Sequence, residues 1–238
     1  MREYGLQSLS RSIIQSTYKK KNFFGDSDEK AYLIGFRLGD LNVYQTVNSS
    51  EVIIVRCHTT RQDQINLMRQ LFEPYGQVTI SMNKRTKSYH VNCYMNKTFA
   101  FLLPKNTYRV ARWITSDPNC SAAFAAGYID AEANIGIYDG RARLKIDTYD
   151  KHVIFWFYRW FIINGISCPP PQQIGLKNQI YNTKTGWKYH NDLWRIRVSK
   201  VRSLIVLFTL LKPHLKHKKR VEDMSRCIQN IYDRVQKK

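Results

Sequence analysis

The chain has 238 residues, 43% of them apolar, enough to enclose one large domain or two small ones. Its formal charge of +20 calls for a polyanionic partner, nucleic acid first and an anionic membrane surface second. No apolar run is long enough to span a membrane, no apolar signal core opens the chain, and five scattered cysteines make no CxxC or zinc pattern; this excludes a disulfide scaffold and predicts an intracellular protein in a reducing compartment, in cytoplasm, nucleoid or organelle matrix.

In chain order, residues 1–25 stand apart as an N-terminal extension. GDSD at 25–28 caps an apolar helix running to Asp40. The strands NVYQTV and EVIIVRCH follow, then a helix over about 62–73 closed by Gly76, then the strand pair QVTISMN and SYHVNCYM. A turn-rich linker, ITSDPNCS at 114–121, leads into a second apolar helix, AAFAAGYIDAEA at 122–133. Beyond it, ANIGIYDGRARLKIDT reads as a hairpin turning at Asp139–Gly140. A helix over 151–163 closed by Gly165 comes next, then the strands QQIGLKNQIY and KYHNDLWRIRVS, further helical material and a basic tail of about 212–238.

The two halves are copies. A shift of 92 residues lays Ala31 on Ala123, Tyr32 on Phe124, Gly35 on Gly127, Phe36 on Tyr128, Gly39 on Ala131 and Asp40 on Glu132. The first repeat is 26–113 and the second 122–238, each an αββαββα unit, so the fold class is a duplicated α+β architecture. Gly35 with Gly39, and Ala123 with Gly127 and Ala131, recur at helical spacing and make ridges without side chains, which predicts that the two helices pack on each other. Ordinary core packing accounts for small residues, but not for an acid at the same register in both copies. A helix C-terminus already carries partial negative charge, so Asp40 and Glu132 imply a cation there. Brought side by side, the two carboxylates and the free helix-end carbonyls would cage Mg²⁺.

The strands supply a surface for the polyanion. Arg141, Arg143, Lys145 and Asp147 alternate with Ala142, Leu144 and Ile146, giving one cationic face and one apolar face. Arg195 and Arg197 repeat the pattern in WRIRVS. The corresponding face of the first copy is more neutral, with Thr79, Ser81, Asn83, His90 and Asn92 suited to base edges. Lys84, Arg85 and Lys87 at its hairpin tip suit phosphates.

LIGFRLGDL at 33–41 and AAGYIDAEA at 125–133 resemble the LAGLIDADG motif of homing endonucleases, in the single-chain, two-repeat form. The resemblance implies two antiparallel sheets forming saddles in the DNA major groove around a central pair of motif helices. It implies catalytic and metal roles for Asp40 and Glu132, with two or more Mg²⁺ ions between them, and cleavage of both strands across the minor groove. The motif's other acidic position is Leu38 in one copy and Asp130 in the other, and its final glycine is Leu41 and Ala133. LKPHLKHKKR at 211–220 is similar to the segment that brings a lysine to the cleavage site, here Lys218, with Arg109 as the first-copy counterpart. The function implied is a monomeric, site-specific double-strand DNA endonuclease serving mobility of an intron or intein. Two alternatives stay open: an RNA maturase acting on intron RNA, and a DNA-binding regulator without catalysis.

Overall fold

The computed structural model describes residues 19–45, 51–104, 109–182 and 184–236. Residues 1–18 of the N-terminal extension, and the end of the strand NVYQTV, lie outside the described residues. The chain packs as two units, Met1–Phe24 with Asn42–Leu103 and Gly25–Leu41 with Pro104–Lys238. The repeat boundaries divide the sequence by pattern. Packing divides it differently, because the first motif helix, α1 (Ser27–Asp40), belongs with the second unit. Asp26 caps α1 by accepting the Glu29 N–H at 2.8 Å.

In the first unit β1 (Asn42–Gln45), β2 (Val52–Thr59), β3 (Gln77–Asn83) and β4 (Ser88–Asn96) form one antiparallel sheet in the order β1-β2-β4-β3. Val91, Cys93 and Met95 of β4 are buried at period two, and helix α2 (Gln62–Phe72) buries Ile65, Met68, Leu71 and Phe72 at helical spacing. Gly76 is needed where the chain passes the Tyr94 carbonyl, since a side chain there would overlap it. Phe23 packs among Tyr75, Phe99 and Phe101, with ring centroids at 5.6, 5.4 and 5.2 Å. The last residues of the extension are therefore built into this unit's aromatic cluster.

The second unit opens with a short helix α3 (Arg112–Ser116) and the second motif helix α4 (Pro118–Glu132), capped by Asp117 at the Cys120 N–H. Helix α4 is apolar on every side and is buried from Cys120 to Asp130 without interruption. Strands β5 (Ala133–Tyr138) and β6 (Arg141–Thr148) turn at Asp139 and Gly140, whose φ values of 50° and 71° are those of the tight turn the pair predicts. Helix α5 (Lys151–Ile163) follows, then β7 (Gln172–Gly175), β8 (Ile180–Asn182), β9 (Trp187–Lys188) and β10 (Leu193–Val198). The sheet order is β5-β6-β10-β7, the first sheet's topology with β10 in the place of β4.

One expectation changes. The long strand pair over 172–199 breaks up: positive φ at Asn178 and Gly186 takes the chain out of the sheet into a separate β8–β9 hairpin. The basic tail is helical over most of its length. After helix α6 (Val201–Leu211), helix α7 (Lys218–Gln236) buries Met224, Cys227 and Ile231 and covers β5 and β6. The charges of α7 surround the buried carboxylate of Asp223, which Lys219 reaches at 2.5 Å and Arg220 at 3.9 Å.

Candidate functional site

Helices α1 and α4 meet by their backbones. A Cβ on Gly35 would overlap the Phe124 carbonyl, and one on Gly127 would overlap the Tyr32 carbonyl. Residues 32 and 124, like 35 and 127, are the same positions of the two copies, so the contact is reciprocal. Farther along, a Cβ on Gly39 would run into the Ala131 methyl and lie 2.8 Å from Glu132 Cγ and 3.4 Å from its Oε1. The two C-termini therefore converge, and each ends on an exposed acid, Asp40 in α1 and Glu132 in α4.

Positive charge already reaches one of these ends. Arg37, 3% exposed, donates from Nη1 to the Leu41 carbonyl, a cation at a helix C-terminus where the dipole favours it. In α4 the second motif acid serves a different end. Asp130 is 1% exposed, and its Oδ2 accepts from the Tyr32 hydroxyl at 2.7 Å and from the Lys216 and His217 N–H groups at 2.8 and 3.0 Å. Burial pushes the Asp130 carboxyl above its ordinary range, against the opposing pull of these donors and of Arg220. Tyr32 is pushed well up by burial and by Asp130. Asp130 thus ties the segment before α7 to the motif helices, and the Lys216 ammonium lies 4.9 Å from the Tyr32 ring centre.

Lys218 is the first residue of α7, exposed and 3.9 Å from Glu222. Arg109 lines a cleft with Thr115 and Ser121, by the N-terminal end of α4 and away from Glu132. Asp28, Asp117 and Cys120 also gather near that end, with ligand atoms within 4.8 Å of one another. Burial pushes the Cys120 thiol up, and Asp117 already accepts the Cys120 N–H, so this group suits a hard cation poorly.

The strand faces follow the alternation. On β6 Ala142, Leu144, Ile146 and Thr148 are buried, while Arg141, Arg143, Lys145 and Asp147 lie on the other side. Cross-strand register sets Arg195 opposite Asp147 and Arg197 opposite Lys145. Arg195 forks onto Asp147 at 2.7 and 2.6 Å, which raises the Arg195 pKa, and Arg143 pairs with Asp139 at 3.0 Å. Lys145 lies over the Tyr138 ring at 4.2 Å. In the first sheet, register puts Thr79 opposite Asn92, Ser81 opposite His90 and Asn83 opposite Ser88. Asn83 Oδ1 accepts from the Arg85 and Thr86 N–H groups and shapes the tip that displays Lys84, Arg85 and Lys87.

The structure adds residues to this face. Arg56 donates to Asn92 Oδ1 and to the Tyr44 hydroxyl, both at 2.7 Å, and His58 meets His90 at 3.1 Å between ring nitrogens. Burial, then His90 and Arg56, hold His58 below its ordinary value. The period-two pattern of EVIIVRCH already sets Arg56 and His58 on one face; that signal is present but weaker than in RARLKID.

Two four-stranded antiparallel sheets of one topology, with a glycine-to-backbone helix pair, define the LAGLIDADG homing-endonuclease fold. Solved structures share it. I-DmoI in complex with DNA and Mn is 18% identical, with a TM-score of 0.52, over 79% of this chain and 99% of that one. I-WcaI bound to its DNA recognition sequence is 12% identical, with a TM-score of 0.55, over 82% and 86%. The N-terminal LAGLIDADG domain of DUF199/WhiA is 10% identical, with a TM-score of 0.50, over 79% and 85%. The sequence matches no protein-family model and no curated protein. At these identities the likeness is one of fold.

Proposed function

We propose that this protein is a site-specific DNA endonuclease that cuts both strands of a long duplex by Mg²⁺-dependent hydrolysis and thereby mobilises its host intron or intein. The observation that carries this reading is the contact of Gly39 with Ala131 and Glu132, which draws two acid-terminated helices together at one end. Asp40 and Glu132 are oxygen donors at exposed positions, a set that fits Mg²⁺, and they would hold it. An ion held there would supply positive charge near the scissile phosphates and would lower the pKa of a bound water. The chain's own residues do the rest. Arg141, Arg143, Lys145 and Arg197 neutralise backbone phosphates, while Asn92, Arg56, Thr79 and Ser81 present donors and acceptors to base edges. Lys216 and Lys218, on and beside the segment tied to Asp130, offer cations for charge developing on phosphate. Because both motif helices lie in one chain, the working form is a monomer. The I-DmoI and I-WcaI structures, solved on DNA, support the reading.

The test uses a supercoiled plasmid carrying the joined exons. In Mg²⁺ the wild type should linearise it, and Asp40→Asn and Glu132→Gln should lose cleavage by orders of magnitude while still binding the duplex in Ca²⁺. Normal cutting by both variants removes the assignment of the acids. A wild type that never cuts yet promotes splicing of the intron RNA replaces this reading with that of a maturase.

A further inference from the structure

Helix α5 lies on the side of the second sheet opposite the cationic face. Its Phe155 meets Trp194 edge-on at 5.6 Å between ring centres, and Trp194 sits between Leu193 and Arg195, pointing away from the face that carries Arg195 and Asp147. Against α5 the chain leaves a cleft of about 720 Å³, a volume typical of ligand sites. Phe155, Trp156 and Trp160 give it aromatic surface, and Arg109, Lys151 and Arg159 give it cations. Trp156 and Trp160 stack on each other at 5.8 Å with an interplanar angle of 8° and are buried, so the half-exposed ring at the cleft is Phe155. Lys151, Phe155 and Arg159 fall four residues apart and so share one stripe of the helix. The two cations stand about 12 Å apart along its axis, with the ring between them.

Among the described residues that line this cleft there is no carboxylate. Cations around an apolar floor repel one another and suit an occupant that is both anionic and flat. A nucleotide has that chemistry. A base stacked within a duplex cannot offer its face, whereas an unpaired base can lie against aromatic rings while its phosphates meet Lys and Arg.

We propose that this cleft binds an unpaired nucleotide of a single strand, its base against Phe155 and its phosphates against Lys151, Arg159 and Arg109. The site is separate from the duplex-binding face, so both are occupied at once.

The test is fluorescence anisotropy with a short, hairpin-free, fluorescein-labelled RNA and the same sequence as DNA, in EDTA, with saturating mixed-sequence duplex DNA present. The wild type should still bind the strand, and Phe155→Leu, at unchanged circular dichroism, should weaken that binding several-fold while leaving duplex affinity unchanged. Lys151→Glu with Arg159→Glu should weaken strand binding by about tenfold or more and leave duplex affinity unchanged. The milder Lys151→Gln with Arg159→Gln, at unchanged circular dichroism, should give a smaller loss in the same direction. Tighter binding of RNA assigns the strand as RNA, and equal binding assigns any single strand. Displacement of the strand by duplex, absence of strand binding, or charge-reversed protein that binds as well as wild type overturns the proposal. Because the readout is strand binding without metal, it stands or falls independently of cleavage.

Discussion

The polar faces of the two sheets share a topology and differ in how their side chains are held. On the first, Arg56 is anchored by neutral groups, Asn92 and Tyr44, and two histidines face each other across β2 and β4. On the second, Arg195 is anchored by a carboxylate, and Arg197 stands directly across from Lys145. The motif helices diverged far less. Gly35 and Gly127 lie so close to the partner backbone that no side chain fits, while a solvent-facing strand position accepts any residue that keeps the alternation. Duplication therefore kept what backbone contact fixes and left recognition chemistry to vary: hydrogen bonding in one copy, charge density in the other.

The largest effect should come from testing whether the helix contact is as symmetric as it looks. Gly35→Ala and Gly127→Ala each press a methyl against a carbonyl oxygen, and each should cost roughly 1–3 kcal/mol or more by urea unfolding. A large cost for one and none for the other breaks the equivalence of the copies. Next comes the contrast between faces. Arg197→Ala or Lys145→Ala should weaken binding to all duplexes and reduce the salt slope by about one. Asn92→Ala should instead relax sequence choice at a few base pairs with the slope unchanged, as read by competition against single-base target variants. A smaller effect belongs to Asp147→Asn, which releases Arg195 from its fork. Non-specific affinity should rise and discrimination fall, with stability changed by less than about 1 kcal/mol because both groups are over a third exposed. The smallest is confined to the first face. His58 is held below its ordinary 6.5, so its contribution to stability is present above that pH and is lost as pH falls through the lower folded value. His58→Gln should flatten that part of the stability profile, just below pH 6.5.

The parts of this architecture that were legible in the sequence are those where geometry leaves few residues to choose from. Glycines against a backbone, Asp139–Gly140 at a tight turn and period two in RARLKID each have one physical reading. Helix α7 was hidden because charged and polar residues outnumber its apolar ones, while the stripe of Met224, Cys227 and Ile231 shows only when counted at helical spacing. The grip of Asp130 on Lys216 and His217 could not be read, since it joins backbone donors 86 and 87 residues away. The break between β7 and β10 runs through positive φ at Asn178, a conformation open to asparagine but not demanded by it. The cleft beside α5 draws on three separate segments, so no local pattern announces it.

The side chain of Asn230 in α7 accepts from the Ala142 N–H at 3.2 Å and donates to the Gly140 carbonyl at 3.3 Å, gripping the turn that leads into the cationic strand β6. That grip is separated from the strand by 88 and 90 residues of chain. A ribosome adds about 5–20 residues per second, so the turn and its arginines leave the tunnel roughly 5–20 s before the helix that steadies them. For that interval the turn and the cations of β6 stand without the Asn230 brace. The register of β5 on β6 must therefore hold first through the Asp139–Gly140 turn and the buried alternation of Ala142, Leu144 and Ile146, with α7 arriving as the final clasp.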